Sequence, residues 1–373
     1  MPSLVIDARM VHSSGIGVYL KQLIPFLLPS FQVSVLGKPE EINEFAWASS
    51  VQVIPAEAAI YSIKEQFELA SKIPPCDIFW SPQYNVPLLP IRAKKRVVTI
   101  HDTYHLAYRH TLPLAQKVYA TAVMKAAVRL AHQVITVSHF SQTEIVKYTN
   151  CPPEKISVIY NGVDTLRFRA DLPETASKQL KDALPELPEN YLVYVGNVKP
   201  HKNLITLLKA YAGLDSPLQA KYHLVIVGQK QGFITPDQEV FQFLEQQPSL
   251  RGLVHFTGFV PDELLPFLYK CASLSVFPSV YEGFGLPPLE SMASGCPVVA
   301  SSSASIPEVC GDAALYFQAL DAEELRALLK TVLTDERLRA DLVKRGLKQA
   351  EEYTWEKSAA RHLKVLRGLL TPG

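Results

Sequence analysis

The sequence predicts an α/β chain built from two doubly wound parallel-sheet domains. Short β-branched or aromatic runs recur along it, and stretches of helical spacing separate them. The whole series occurs twice, with a stretch rich in proline and charge between the two copies. At 373 residues and 48% hydrophobic, the chain is long enough to bury two ordinary cores.

In the first series the strand candidates are Leu4–Ile6, Gln32–Leu36, Asp77–Trp80, Arg96–His101, Gln133–Val137 and Ile156–Tyr160. They read as strands buried on both faces. The clearest helical spacing runs from Leu114 to Leu130, with apolar and cationic residues on opposite faces. The stretch Asp171–Asn190 is expected to be a connection. The second series offers Leu192–Val195, His223–Val227, Val254–Thr257, Leu274–Phe277 and Val298–Ala300, with helices at Leu204–Leu214, Glu263–Tyr269 and Glu323–Leu333. The final segment has apolar residues at Ala359, Leu363, Leu366 and Leu370. The expected domains are 1–168 together with 355–373, and 169–354.

Composition narrows the function. Lys and Arg total 37 against 36 for Asp and Glu, so no global field favours nucleic acid. Cys76, Cys151, Cys271, Cys296 and Cys310 are scattered without CxxC spacing, which suggests neither a disulfide framework nor zinc and fits a reducing cytoplasm. Met1–Asp7 reads as a strand rather than a secretory signal, and no apolar run reaches bilayer length. The expected location is cytoplasmic, with peripheral contact at the inner face of the membrane as a further option. For that contact Arg92, Lys94, Lys95 and Arg96 are either a lipid-facing patch or a solvated strand entrance.

Ligands of doubly wound sheets bind beyond the carboxyl ends of the strands. The richest such place is Phe277-Pro-Ser-Val-Tyr-Glu-Gly-Phe-Gly-Leu-Pro-Pro-Leu-Glu-Ser-Met292. A strand ends at Phe277, and Pro287 and Pro288 suit the first turn of a helix, where a missing N–H leaves no bond unmade. Glu282, Gly283, Phe284 and Gly285 then occupy a loop at a helix N-terminus, a seat for phosphate or sugar oxygens. Glu290 lies on the face of Leu286, and its side chain leans back toward the same ligand. Two acidic acceptors beside an anion seat suit a nucleotide sugar. Taken singly, Glu290 also reads as a helix-dipole partner and Glu282 as a solvated loop residue.

With seven residues between Glu282 and Glu290, this segment resembles the EX7E motif of glycosyltransferase family 4. Asp7-Ala-Arg9, Ser14-Gly-Ile-Gly17, His101-Asp102, Asn161-Gly-Val-Asp164, Tyr194 to Asn203 and Gly258-Phe-Val-Pro-Asp262 resemble the family in order and spacing, so the likeness covers nearly the whole chain. It implies the GT-B fold: two Rossmann-like domains facing across a cleft, the last helix crossing back onto the first. It also implies a retaining hexosyltransferase of envelope polysaccharide synthesis, with a UDP-sugar or other nucleotide diphosphate sugar as donor. UDP-glucose is favoured and GDP-mannose is next, with a glycan or lipid-linked glycan as acceptor.

The resemblance also distributes roles. Gly15 and Gly17, ahead of a helix expected near Val18, become a donor-side loop; unaided, paired glycines there fit dinucleotide binding equally. Lys202 becomes the cation that meets the departing diphosphate, although a solvated helix-start lysine explains it as well. Asn197 stands where the family often has Arg, so either Lys199 substitutes for it or there is no second cation. Asn203 is expected to cap the helix at Leu204. His101 is implied to touch the donor sugar near the reacting carbon, against the reading of a hydrogen-bonded structural histidine. The catalytic candidates are therefore His101, Lys202 and Glu282. Donor contacts are expected from Gly15, Gly17, Asn197, Lys202, Glu282, Gly283, Phe284, Gly285, Leu286 and Glu290. Tyr84, Asn85 and Tyr104 are acceptor-side candidates. No DxD pair is present, so no metal is expected. The rivals are a nicotinamide oxidoreductase, which lacks its third glycine here, a nucleotide-sugar epimerase, and a non-catalytic nucleotide-sugar-binding protein.

Overall fold

Valine, isoleucine and leucine fill the centres of both sheets, because a strand covered by helices on each side has no polar face to offer. The computed structural model describes residues 1–109, 113–169, 174–228 and 237–371. They divide into two units, Met1–Gly162 with Trp355–Gly373, and Val163–Thr354.

The first unit holds β1 (Ser3–Asp7), β2 (Gln32–Gly37), β3 (Gln52–Pro55), β4 (Cys76–Ser81), β5 (Ala93–Ile100), β6 (Gln133–Thr136) and β7 (Ile156–Val158). Every pairing is parallel and the order is β3-β2-β1-β4-β5-β6-β7. The second unit holds β8 (Tyr191–Val195), β9 (His223–Val227), β10 (Val254–Gly258), β11 (Leu274–Phe277), β12 (Val298–Ser301) and β13 (Ala314–Phe317), ordered β10-β9-β8-β11-β12-β13 and again parallel.

Two strands were not anticipated from the sequence, β3 and β13, and each forms an edge of its sheet. An edge strand needs one neighbour and partial cover, so Gln52-Val-Ile-Pro55 carries no long apolar run and is nowhere fully buried.

The first seam falls between Gly162 and Val163, not at 168–169. The helix Thr165–Arg169 packs within the second unit: the Phe168 ring lies 6.3 Å from that of Tyr269, and the Val163 N–H donates to Tyr353 O at 2.9 Å. Within the expected connection Asp171–Asn190 a helix forms at Glu174–Ala183, while 170–173 lie outside the described residues.

The last helix, Trp355–Gly368, belongs to the first unit, where it packs on the helix Ser14–Leu27. Its buried stripe is Trp355, Ala359, His362 and Leu366, with Leu363 only half-buried. The stripe turns by one position because His362 has partners for both ring nitrogens inside.

Ser14–Leu27 begins four residues before Val18, the expected start. Gly15 and Gly17 therefore occupy its first turn rather than a preceding loop. Neither has a positive φ. A Cβ on Gly17 would meet Val11 O at 2.4 Å, so close backbone packing explains that glycine. Among the described residues no helix is long and apolar enough to cross a membrane. In the basic stretch, Arg96 donates to Pro87 O and Leu89 O at 3.0 and 3.1 Å, and Lys94 pairs with Asp77 at 2.8 Å. Much of that charge is engaged by the fold.

Candidate active site

In the second unit, two strand ends are laced together. After β8 the chain makes a short 3-10 turn, Pro200–Lys202; after β11 it runs through a loop to the helix Leu286–Ala293. Asn203 Nδ2 donates to Pro278 O at 2.9 Å, the Val280 N–H donates to His201 O at 2.9 Å, and Lys202 Nζ donates to Glu282 Oε1 at 2.6 Å. The Lys202 and Glu282 side chains are 20% and 15% exposed, so water screens the pair only partly. Lys202 also lies 5.9 Å from the Phe277 ring centroid. A cation and a carboxylate are thus held together at the carboxyl ends of two strands, a pairing able to meet both phosphate oxygens and hydroxyl groups.

Asn203 is not the side-chain cap expected of it. It adopts a left-handed conformation, φ 55°, and its amide is spent on Pro278 O, Ala319 O and, through Oδ1, the Thr206 hydroxyl at 2.7 Å. It is a cross-brace that sets the turn carrying Lys202. Lys199 sits at the start of that turn, its carbonyl accepting the Lys202 N–H at 2.9 Å. Asn197 accepts at its carbonyl from Tyr194 Oη at 3.1 Å. A Cβ on nearby Gly228 would meet Gly196 O at 2.3 Å, so β9 must be followed by glycine for this backbone to pass.

Gly285 precedes the helix with φ 108° and ψ 67°, a region closed to side chains. Because Pro287 and Pro288 lack N–H groups, and the Leu289 N–H makes the first intrahelical bond to Gly285 O, the free donors of this helix start narrow to those of Gly285 and Leu286. Ser305, which sequence reasoning passed over, donates from a buried hydroxyl to Glu282 O and Phe284 O, each 2.9 Å away, and so shapes the loop from beneath. Gly285→Ala is expected to cost about 1–3 kcal/mol in backbone strain. A chemical-denaturation midpoint unchanged from the parent would refute this.

Glu290 has other neighbours. Tyr269 Oη lies 3.5 Å from its Oε2, and burial, moderated by Arg167 and reinforced by Asp262, pushes its carboxyl up to about 7. Arg167 is itself fixed to Asp262 O and, through its N–H, to Asp164 Oδ1 at 3.0 Å. Glu282 and Glu290 thus stand in different surroundings, one ion-paired and one poised near neutrality. Tyr269 and Arg167 were invisible to spacing, being far from Glu290 in sequence.

In the first unit, His101 follows β5. Its Nε2 lies 2.9 Å from Pro82 O, its carbonyl accepts from Ser141 Oγ at 3.0 Å, and its ring meets Tyr19 edge-on at 4.9 Å. A carbonyl only accepts, so Nε2 carries the proton. Burial pushes the imidazole below its ordinary value, more than Pro82 and Asp102 restore. A neutral ring with Nδ1 as acceptor suits a sugar hydroxyl and does not suit a general acid. Asp102 Oδ1 accepts the Tyr104 N–H at 2.9 Å. Tyr104 stacks on Tyr108 at 5.1 Å, and Tyr84 meets His105 at 5.8 Å. Asn85 is buried, donating to Glu65 and accepting from Tyr119 Oη at 2.9 Å.

Comparison with known proteins identifies the family and the fold. Residues 14–167 match the model described as Glycosyltransferase Family 4, and residues 177–349 match that described as Glycosyl transferases group 1. The O-antigen chain mannosyltransferase B of Escherichia coli is 34% identical over 275 residues, covering 72% of this chain and 69% of that protein. A serotype-specific mannosyltransferase WbdA of Escherichia coli is 31% identical over 63% of this chain, which spans only 28% of that protein's length. The crystal structure of Anabaena Alr3699/HepE in complex with UDP superposes with a TM-score of 0.75, covering 99% of this chain and 100% of that one at 19% identity. This last likeness is one of fold.

Proposed function

From the premise that this chain belongs to glycosyltransferase family 4 and has its GT-B fold of two Rossmann-like units, we propose that it transfers mannose from GDP-mannose to a glycan or lipid-linked glycan of the cell envelope, with retention and without a metal ion. The observation that carries this reading is the Lys202–Glu282 pair, 2.6 Å apart and braced between two strand ends. When donor binds, the ammonium meets the diphosphate and the carboxylate is released to accept sugar hydroxyls. Glu290, near neutrality, takes hydroxyls of the ribose.

The donor reading departs from the expectation of UDP-glucose. Relatives at 31 and 34% identity are named mannosyltransferases, whereas the UDP-bound neighbour, at 19%, speaks for the fold alone. Departure of the sugar develops charge on the diphosphate, which Lys202 and the Leu286 N–H stabilise. The leaving oxygen then accepts the proton of the incoming hydroxyl, so attack occurs on the face the diphosphate leaves. His101, neutral and anchored on Pro82, offers Nδ1 to a sugar hydroxyl.

GDP-mannose at 100 times its Kd is expected to stabilise the native state by roughly 2.7 kcal/mol, read as a rise in Tm. Transfer to an α-mannoside acceptor is expected to persist in EDTA. A larger shift with UDP-glucose overturns the donor assignment. Turnover abolished by EDTA and restored by Mg²⁺ or Mn²⁺ overturns the metal-free mechanism.

A further inference from the structure

Three tyrosines meet in the first unit: Tyr84, an acceptor-side candidate from the sequence, and Tyr61 and Tyr119, which the sequence did not single out. Tyr61 follows β3, Tyr84 follows β4, and Tyr119 lies early in the helix Leu114–Leu130 after β5. All three are on connections that leave carboxyl strand ends, where doubly wound sheets bind ligands. The Tyr61 ring centroid lies 6.1 Å from Tyr84, tilted by 30°, and 6.1 Å from Tyr119, edge-on at 88°. Tyr61 is 46% exposed. The other two are half-buried.

The cluster is held from beneath by one carboxylate. Glu65 is fully buried; its Oε2 accepts the Tyr61 N–H at 2.7 Å, and its Oε1 accepts from Asn85 Nδ2 and, at 2.9 Å, from Arg9 Nη2. Asn85 in turn receives the Tyr119 hydroxyl at 2.9 Å. Arg9 is clamped by Asp7 with bonds of 2.8 and 2.7 Å. The bond from Glu65 matters because Tyr61 stands at φ 69°, a left-handed conformation unfavourable for a tyrosine. Strain at an exposed aromatic residue is a mark of function, since nothing in the core requires that ring.

The chemistry of the rim selects a ligand class. Burial chiefly raises the Tyr61 and Tyr84 phenols; Glu65 and then Asp102 add to the rise at Tyr61 against the hydrogen bond from Tyr84, and Tyr61 and then Asp102 add to it at Tyr84. The charged groups acting on the cluster thus include two carboxylates, Glu65 and Asp102, against the guanidinium of Arg9, itself paired with Asp7, a poor setting for phosphate or any other anion. Gln83, beside Tyr84, is buried with its carboxamide oxygen unpartnered among the described residues. Negative ring faces with hydroxyl and carboxylate acceptors nearby fit a neutral polyhydroxylated ring, whose C–H face is weakly positive and whose rim donates hydrogen bonds.

We propose that Tyr61, Tyr84 and Tyr119 form a cradle for the apolar face of a pyranose of the acceptor, and that Glu65 is the positioning residue that sets its shape. The proposal rests on the transferase reading for its role, and on the geometry alone for its ligand class.

The test uses the whole chain in two arms. In the first, saturation-transfer NMR with methyl α-D-mannopyranoside as the probe is expected to show ring C–H signals that fall at least fivefold in Tyr61→Ala and Tyr84→Ala and are kept in Tyr61→Phe. In the second, the KM for a soluble α-mannoside acceptor is expected to rise about tenfold in Tyr61→Ala, the size of losing one aromatic contact, with kcat changed less than twofold. Glu65→Gln is expected to raise the same KM, and a donor-induced rise in Tm equal to that of the parent shows that it is folded. If KM and the NMR signals stay unchanged in Tyr61→Ala and Tyr84→Ala, the cradle is refuted while the transferase reading stands. If the parent transfers nothing yet its NMR signals depend on the tyrosines, the transferase reading fails and the sugar site survives. A defect confined to a lipid-linked acceptor, absent with the soluble mannoside, would mean that the rings hold lipid and would overturn the proposal.

Discussion

Replacing Lys202 by alanine is expected to lower kcat about 100-fold, the size of losing one preorganised electrostatic contact. The ammonium is in place before any donor arrives, 2.6 Å from Glu282 and with its turn braced by Asn203. Little reorganisation is then required as charge builds on the diphosphate. Because that charge grows between ground state and transition state, kcat should fall more than the donor KM rises. Glu282→Gln alone leaves Lys202 without its partner, so the double variant should lose less than the product of the single losses. Steady-state kinetics across this cycle decides the matter. An unchanged kcat in Lys202→Ala removes the lysine from the mechanism.

What the sequence made legible follows from how local each signal is. The central strands were readable because burial on both faces demands apolar runs, as in Leu192–Val195 and Val298–Ala300. The edge strand β3 bears no such demand and was missed, and β13, a short edge of four apolar residues, was missed although it carries such a run. The loop from Glu282 to Leu286 was legible because glycine and proline carry their backbone conformations with them. Gly15-Ile-Gly17 misled for the same reason: glycine permits a loop but does not impose one, and here it admits a helix packed against Val11. Pairings of remote residues had no local trace. Glu65 reaches Tyr61 within one turn but Arg9 across 56 positions, and Tyr19 meets His362 across 343. Only the folded sheet brings such groups together.

That last pair makes stability depend on pH in a defined direction. His362 Nδ1 donates to Ser358 O at 2.8 Å, so Nε2 is bare and accepts the Tyr19 hydroxyl at 2.5 Å; Tyr19 in turn lies 3.1 Å from Thr99 Oγ1, which receives Trp80 Nε1 at 3.0 Å. Every member is buried. Burial chiefly lowers the imidazole from 6.5 to about 4. Between those values the unfolded chain binds a proton that the folded chain refuses, so the first unit loses stability as pH falls from about 6.5 toward 4. At about 1.4 kcal/mol per pH step the loss approaches roughly 3 kcal/mol. Glu290 acts oppositely in the second unit. Its carboxyl, raised from 4.5 to about 7, holds a proton when folded that the unfolded chain gives up, so that unit gains stability as pH falls through the same window. The gain is smaller, because the Glu290 side chain remains partly open to solvent. Hydrogen exchange read separately over β5 with Trp355–Gly368, and over β11 with Leu286–Ala293, is therefore expected to show protection moving in opposite directions between pH 7 and pH 5. His362→Gln should flatten the first trend and Glu290→Gln the second. Parallel acid loss in both units, or a first-unit trend untouched by His362→Gln, would show that other groups govern the acid response.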